Sequence, residues 1–180
     1  MGTRLLPITE TLPKPLVPVL NLPNILHIVF LLRRAGIRDL VINTFHLGDQ
    51  LSRWLGNGEK YGVRISYSPE TILLGTGGGV KHAESFFNGE PFVLCNSDFV
   101  TDVAIAPVLE AHMKNNALAT MVLVDDAEKK KKYAPVGTTA AGNLCSLPKY
   151  ESQKPSRTGF FTGIHVLENT CLRYLKEEPS

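Results

Sequence analysis

Between residues 24 and 124, apolar runs with helical spacing alternate with shorter apolar runs that lack it, and this alternation limits the fold more than any other feature of the chain. Across 24–35, Ile25, Ile28, Val29 and Leu32 recur at helical intervals, while Leu26, Phe30 and Leu31 widen the apolar stripe. Pro23 suits the start of such a helix, Arg33 and Arg34 suit its last turn, and Gly36 suits its stop. Residues 39–45 then form a short run rich in β-branched residues, as a buried parallel strand would. A second helix is expected over 46–55, with Leu47, Leu51, Trp54 and Leu55 facing inward. Strands are expected at 63–67, 91–96 and 118–124, and helices at 78–87 and 104–115. The order predicts an α/β fold: a Rossmann-like, mostly parallel sheet with right-handed crossovers and helices on both faces. From about residue 125 the pattern changes. Segments 133–136 and 143–147 flank Gly142 like a hairpin, 160–166 reads as a returning strand, and 170–177 as a short helix. These are expected to add mixed strands to the same sheet within a single domain spanning 1–180.

A chain of 180 residues, 43% of them hydrophobic, can bury a sizeable core as one domain. Its net charge of +2 gives no basic stripe of the kind that binds nucleic acid. The dense run Lys129 to Lys132 lies beside Asp125, Asp126 and Glu128, which reads as a solvated loop. Cys95, Cys145 and Cys171 are odd in number and widely spaced, forming neither a zinc pattern nor a closed disulfide set. Such cysteine usage suggests a reducing compartment. No apolar run reaches the length of a membrane span, and no charged-then-apolar leader opens the chain, so the expectation is a cytoplasmic protein.

The first eighteen residues carry the strongest sign of chemistry. Gly2 and Thr3 can bring backbone N–H groups close to an anion. Arg4 offers a planar fork for two phosphate oxygens and Lys14 a compact point charge. Pro7, Pro13, Pro15 and Pro18 are expected to exclude helix and hold these cations on a stiff loop. A proline-rich surface loop with two solvated cations is the plainer alternative. Asp98 follows the apolar run Phe92, Val93, Leu94, Cys95 and so emerges at a strand's carboxyl end, where open α/β sheets bind ligands. It could serve as an oxygen ligand for Mg²⁺, or it could cap the helix that begins near Asp102 or Ala104. Gly75, Thr76, Gly77 and Gly78 lie in a glycine cluster between a strand and a helix, where N–H groups can face the same crevice. Glycine-rich turns before helices are also often purely structural. The histidines, His27, His46, His82, His112 and His165, are scattered and read as structural.

The spacing G-T-R-L-x-P-x-T-x-x-x-P-K-P-L resembles the signature loop of the sugar-1-phosphate nucleotidyltransferases, which join a nucleoside triphosphate to a sugar phosphate and release pyrophosphate. The resemblance implies that Arg4 contacts the departing phosphates, that Lys14 sits between the phosphates of the two substrates, and that Gly2 and Thr3 wrap the triphosphate. It implies a metal-binding role for Asp98 with Mg²⁺, although Ser97 stands where the family's Asn-Gly-Asp has glycine. Gly75 to Gly78 would lie under the nucleobase. Tyr133 to Gly137 and Phe161 to Ile164 resemble segments placed against the sugar, whereas Leu147-Pro-Lys149 departs from the Glu-Lys pair of many relatives. With the opening loop, the segment Leu74 to Gly79 most resembles members acting on mannose-1-phosphate with GTP or on N-acetylmuramate-1-phosphate with UTP. The residues do not choose between them, and self-association is left open. A non-catalytic nucleotide-binding homologue and a dinucleotide-binding oxidoreductase are the competing classes. Retention of Arg4, Lys14 and Asp98 speaks against the first, and the lack of G-x-G-x-x-G after a strand against the second. The family also places a buried strand before the loop and a second metal-binding aspartate after it, so the expectation is a domain incomplete at both ends.

Overall fold

A computed structural model of the chain describes residues 5–128 and 133–178. The proline-rich opening contains one helical turn, α1 (Ile8–Thr11), and a 3-10 turn over Lys14–Leu16. This corrects the expectation that its prolines exclude helix. Pro7 immediately precedes α1 and Pro15 lies at the start of the second turn, positions where a missing N–H breaks no helical bond. Strands β1 (Pro18–Val19) and β2 (Leu22–Pro23) then form a tight hairpin. Its two turn residues, Leu20 and Asn21, take φ of 51° and 62°, as the hairpin's twist requires.

Helix α2 (Asn24–Arg34) buries Ile25, Leu26, Ile28, Val29, Leu31 and Leu32, the stripe read from their spacing. β3 (Asp39–Thr44) runs through α3 (Gly48–Leu55) to β4 (Arg64–Pro69), and the two strands pair in parallel from Asp39↔Arg64 to Thr44↔Pro69. Leu51 and Leu55 are buried, but Trp54 is not turned inward as expected. Its ring stacks on Tyr61 at 6.1 Å with the Lys60 ammonium 5.1 Å away, a contact that favours the surface because the cation stays hydrated.

Helix α4 (Gly75–His82) begins at Gly75 rather than near Gly78. It is followed by β5 (Phe92–Cys95), α5 (Ile105–Lys114) and β6 (Ala119–Val124). The remainder supplies β7 (Val136–Thr138), β8 (Leu144–Leu147), β9 (Tyr150–Glu151) and β10 (Arg157–Leu167), with a 3-10 segment over Asn169–Tyr174. The expected hairpin about Gly142 is β7–β8. β10 is longer than expected, and it organises this half of the chain. It pairs antiparallel with β5, β6 and β7. Residues 165–167 have partners in both β5 and β6, so β10 lies between those strands.

The expectation of a mostly parallel sheet is therefore corrected. Among the described residues β3–β4 is the parallel pair, and the six-stranded sheet around β10 is antiparallel. The chain is mixed α/β. The reason lies in a cleft of about 900 Å³ that β3 and β5 both line, together with Ile25, Ile28, Val29 and Leu32 of α2. There the two strands do not pair with each other, and β5 takes β10 as its neighbour. Val41, Ile42, Val93 and Leu94, which a closed sheet would cover, stay half-buried. By contrast Ile164 and Val166 of β10 are fully buried. Behind this sheet, His112 of α5 is 1% exposed and bonds Thr120 Oγ1 at 2.8 Å and Glu168 Oε1 at 3.1 Å. The buried ring thus keeps both nitrogens partnered while joining α5 to β6 and to the end of β10.

Candidate active site

Two residues 84 positions apart in sequence meet at the carboxyl end of β5. The Lys14 ammonium donates to the Asp98 carboxylate at 2.5 Å, with both side chains about two-fifths exposed. The 3-10 turn over Lys14–Leu16 presents the lysine, and Leu16 anchors that turn in the core. The Asp98 loop is held from two sides. Asn96 N–H donates to Gly163 O at 3.0 Å, and Asn24 Nδ2 donates to Ser97 O at 2.6 Å. Gly163 has φ +90° and sits where the β10–β6 register shifts, a bulge that makes room for Asn96. A Cβ on Gly163 would lie 2.9 Å from Asn96 Nδ2. The capping alternative for Asp98 is not what the fold adopts, because α5 starts at Ile105 without a side-chain cap and Asp98 is engaged by Lys14.

Asn24 escaped the reading of the sequence. It opens α2 directly after Pro23, where it looks like an ordinary helix-start residue, yet it is 7% exposed and its Oδ1 is buried without a partner among the described residues. A polar residue inside an otherwise apolar helix start was the available signal.

Gly75 has φ +68° and lines the cleft with Thr76, Gly79 and Ser97. The rest of the cluster is closely packed. A Cβ on Gly77 would meet Leu175 at 3.6 Å, and one on Gly78 would lie 2.9 Å from Leu74 Cβ and 3.1 Å from Glu178 O. Glycine is therefore required at 78 by the protein's own packing, whatever else approaches it. Gly2, Thr3 and Arg4 lie outside the described residues, as does the Lys129 to Lys132 run.

The segments expected against a sugar come together in the antiparallel half. Tyr133 packs on Phe160 at 4.9 Å, β7 pairs with β10 through Gly137↔Thr158, and Phe161 to Ile164 spans the bulge beside Asn96. Leu147-Pro-Lys149 instead occupies the turn between β8 and β9.

Two further groups are set by burial. Loss of water pushes the Cys95 thiol up to about 12, so this cleft-lining residue stays protonated and is no nucleophile. Burial also lowers the pKa of His165, which packs against Phe161 at 4.4 Å as a neutral ring. Among the described residues no group of three or more His, Cys, Asp or Glu gathers as a metal cage. Asp98 nonetheless fits a Mg²⁺ that takes one carboxylate oxygen from protein and its other ligands from phosphates and water. The Lys14 ammonium already shows that a cation is accommodated at this carboxylate.

The family model described as Nucleotidyl transferase matches residues 1–178, and the chain belongs to that family. It is 40% identical over 184 residues to a mannose-1-phosphate guanyltransferase of Aspergillus fumigatus, covering 99% of this chain and 50% of that protein. To the N-acetylmuramate alpha-1-phosphate uridylyltransferase of Neisseria meningitidis it is 43% identical over 103 residues, covering 57% of this chain and 45% of that one. A crystal structure of UDP-glucose pyrophosphorylase complexed with UDP-glucose superimposes with a TM-score of 0.75 at 21% identity, over 96% of this chain and 74% of that one, which shows a shared fold. The chain spans about half or less of the length of these curated relatives.

Proposed function

We propose that the protein carrying this chain transfers a nucleotidyl group from a nucleoside triphosphate to a sugar-1-phosphate, giving a nucleoside-diphosphate sugar and pyrophosphate. The observation that carries this reading is the contact of Lys14 with Asp98 at the carboxyl end of β5. Family membership supports it.

A sugar-1-phosphate is largely dianionic at neutral pH, since its second pKa lies near 6, so its oxygen attacks without a general base. That oxygen forms a bond to the α-phosphorus in line while the bond from the α-phosphorus to the bridging oxygen breaks, and pyrophosphate leaves with the electron pair. No proton needs to move. The residues' task is alignment and charge neutralisation. Lys14 lies between the two phosphates and relieves their repulsion, and Arg4 stabilises the departing pyrophosphate. Asp98 would hold Mg²⁺, and the ion would supply positive charge to neutralise the phosphates. Gly75, Thr76, Gly77 and Gly78 carry the nucleotide on backbone groups, Gly2 and Thr3 the triphosphate. Residues 1–180 act as one domain, in a cytoplasmic setting that suits three unpaired cysteines. No helix among the described residues is long and apolar enough to cross a membrane.

GTP and UTP are the candidate donors, since the chain is similar both to a mannose-1-phosphate guanyltransferase and to a UTP–glucose-1-phosphate uridylyltransferase. A thermal-shift panel of the four ribonucleoside triphosphates tests this, because a ligand that binds only the folded state raises the melting temperature. A coupled pyrophosphate assay then tests transfer to mannose-1-phosphate and N-acetylmuramate-1-phosphate. Absence of any triphosphate shift defeats the reading.

A further inference from the structure

Asn43 is the next-to-last residue of β3 and Glu70 immediately follows β4, so parallel pairing brings both to the same end of the strands. The Glu70 carboxylate accepts two bonds, from Asn43 Nδ2 at 3.1 Å and from Leu74 N–H at 3.1 Å. Asn43 Nδ2 also donates to Gly79 O at 2.8 Å. One nitrogen with two hydrogens thus joins β3 both to the residue after β4 and to the middle of α4. Gly79 is shaped by the pair: a Cβ there would lie 2.6 Å from Glu70 Oε1 and 2.9 Å from Asn43 Nδ2. Glu70, Asn43, Gly75, Thr76 and Gly79 all line the one cleft.

We propose that Asn43 and Glu70 are positioning residues for the nucleotide, fixing how closely α4 approaches the ends of β3 and β4 and so where the Gly75 to Gly78 backbone meets its ligand. The proposal rests on the nucleotidyl-transfer reading. A helix that starts on a positive-φ glycine and continues through three more glycines in its first five positions has little rigidity of its own, since each glycine leaves the backbone extra freedom. The carboxylate and amide supply that rigidity from outside the helix. Glu70 takes the Leu74 N–H just ahead of α4, while the first-turn N–H groups of the helix, from Gly75 onward, lack an intrahelical acceptor and can serve a ligand.

The test uses Glu70→Gln, Asn43→Asp and Gly79→Ala in the full protein, with binding of GTP and UTP by calorimetry and steady-state kinetics. Loss of one hydrogen bond in Glu70→Gln should raise the Kd and KM for the triphosphate about three- to tenfold, with kcat and the sugar-1-phosphate KM nearly unchanged. Asn43→Asp sets two carboxylates together and should be the most damaging single change, about tenfold or more in triphosphate KM. The double variant Asn43→Asp with Glu70→Gln restores a donor–acceptor pair and should recover part of the loss. Gly79→Ala displaces the pair without altering charge and should again raise the triphosphate KM. Variants that melt earlier but keep the wild-type triphosphate KM would make the pair purely structural and overturn the proposal. If the wild-type protein binds none of the triphosphates, the underlying reading falls instead and takes the proposal with it.

Discussion

The region built on β3 and β4 and the region built on β10 bury their strands differently. Among the described residues β3 has one strand partner, and its other side opens on a cleft of about 900 Å³, so Val41 and Ile42 remain half-buried. β10 is flanked on both sides where it pairs with β5 and β6, and Ile164 and Val166 have no exposure. The candidate site draws on both. Lys14 and the glycine helix come from the more open region, while Gly163 of β10 holds Asn96 and thereby aims Asp98. A site needs one rigid support and one side that admits ligand, and the two regions divide that work.

The sharpest way to break this comparison is to remove the charge that the rigid side presents. Asp98→Asn keeps the shape but loses the anionic ligand, and should lower kcat/KM by about a thousandfold, on the order of 4 kcal/mol of transition-state stabilisation, without shifting the melting temperature. Near-normal turnover in a pyrophosphate-release assay would remove Asp98 from the chemistry. A smaller contrast concerns packing. Ile164→Ala should cost about 4 kcal/mol of stability, whereas Ile42→Ala, beside an existing cleft with fewer contacts to lose, should cost about 2 kcal/mol. Urea unfolding of the two variants measures the difference, and equal costs would show that the two regions are equally well packed.

Smaller again is the competition at Asp98. If the Lys14 ammonium occupies the carboxylate that a metal must take, Lys14→Met should tighten Mn²⁺ binding in the absence of nucleotide by about two- to fivefold, the worth of a partly exposed ion pair. Electron paramagnetic resonance of free Mn²⁺ reads this directly, and weaker binding in the variant would show that lysine and metal do not compete. The same lysine change should still lower kcat/KM, separating its roles.

The mildest effect lies in pH. Burial lowers the pKa of His165 in the folded chain, so the unfolded chain binds more protons at mildly acidic pH. The neutral ring's contribution to stability is therefore present above the unfolded value of about 6.5 and is lost as pH falls below it. Thermal melts between pH 8 and pH 5 should decline less steeply in His165→Gln than in the native chain. An unchanged slope would assign the acid sensitivity to other groups.

Much of the fold could be read from residue order because it depends on near neighbours. The α2 stripe from Ile25 to Leu32 and the strand runs at β3, β5 and β6 were legible from spacing, since side chains three or four apart share a helical face and a strand's run is short and apolar. Trp54 and the direction of the sheet were not, because each depends on what packs alongside: Tyr61 and Lys60 for the ring, β10 for β5. In the site, the types Lys14 and Asp98 were legible as cation and carboxylate. Asn43, Glu70 and the bulge at Gly163 were not, for an isolated polar residue or glycine has no periodicity to betray its role.

The positions of α2, β3, β5 and β6 and the chemical kinds of group available were thus set by the order of residues, through interactions that reach only a turn or two along the chain. Which strand neighbours which, that Lys14 touches Asp98 across 84 residues, and that Gly79 must be bare to admit the Asn43–Glu70 pair were decided by tertiary structure. Those contacts join segments far apart in sequence, where closing the loop costs chain entropy that only the assembled core repays, so no local pattern encodes them.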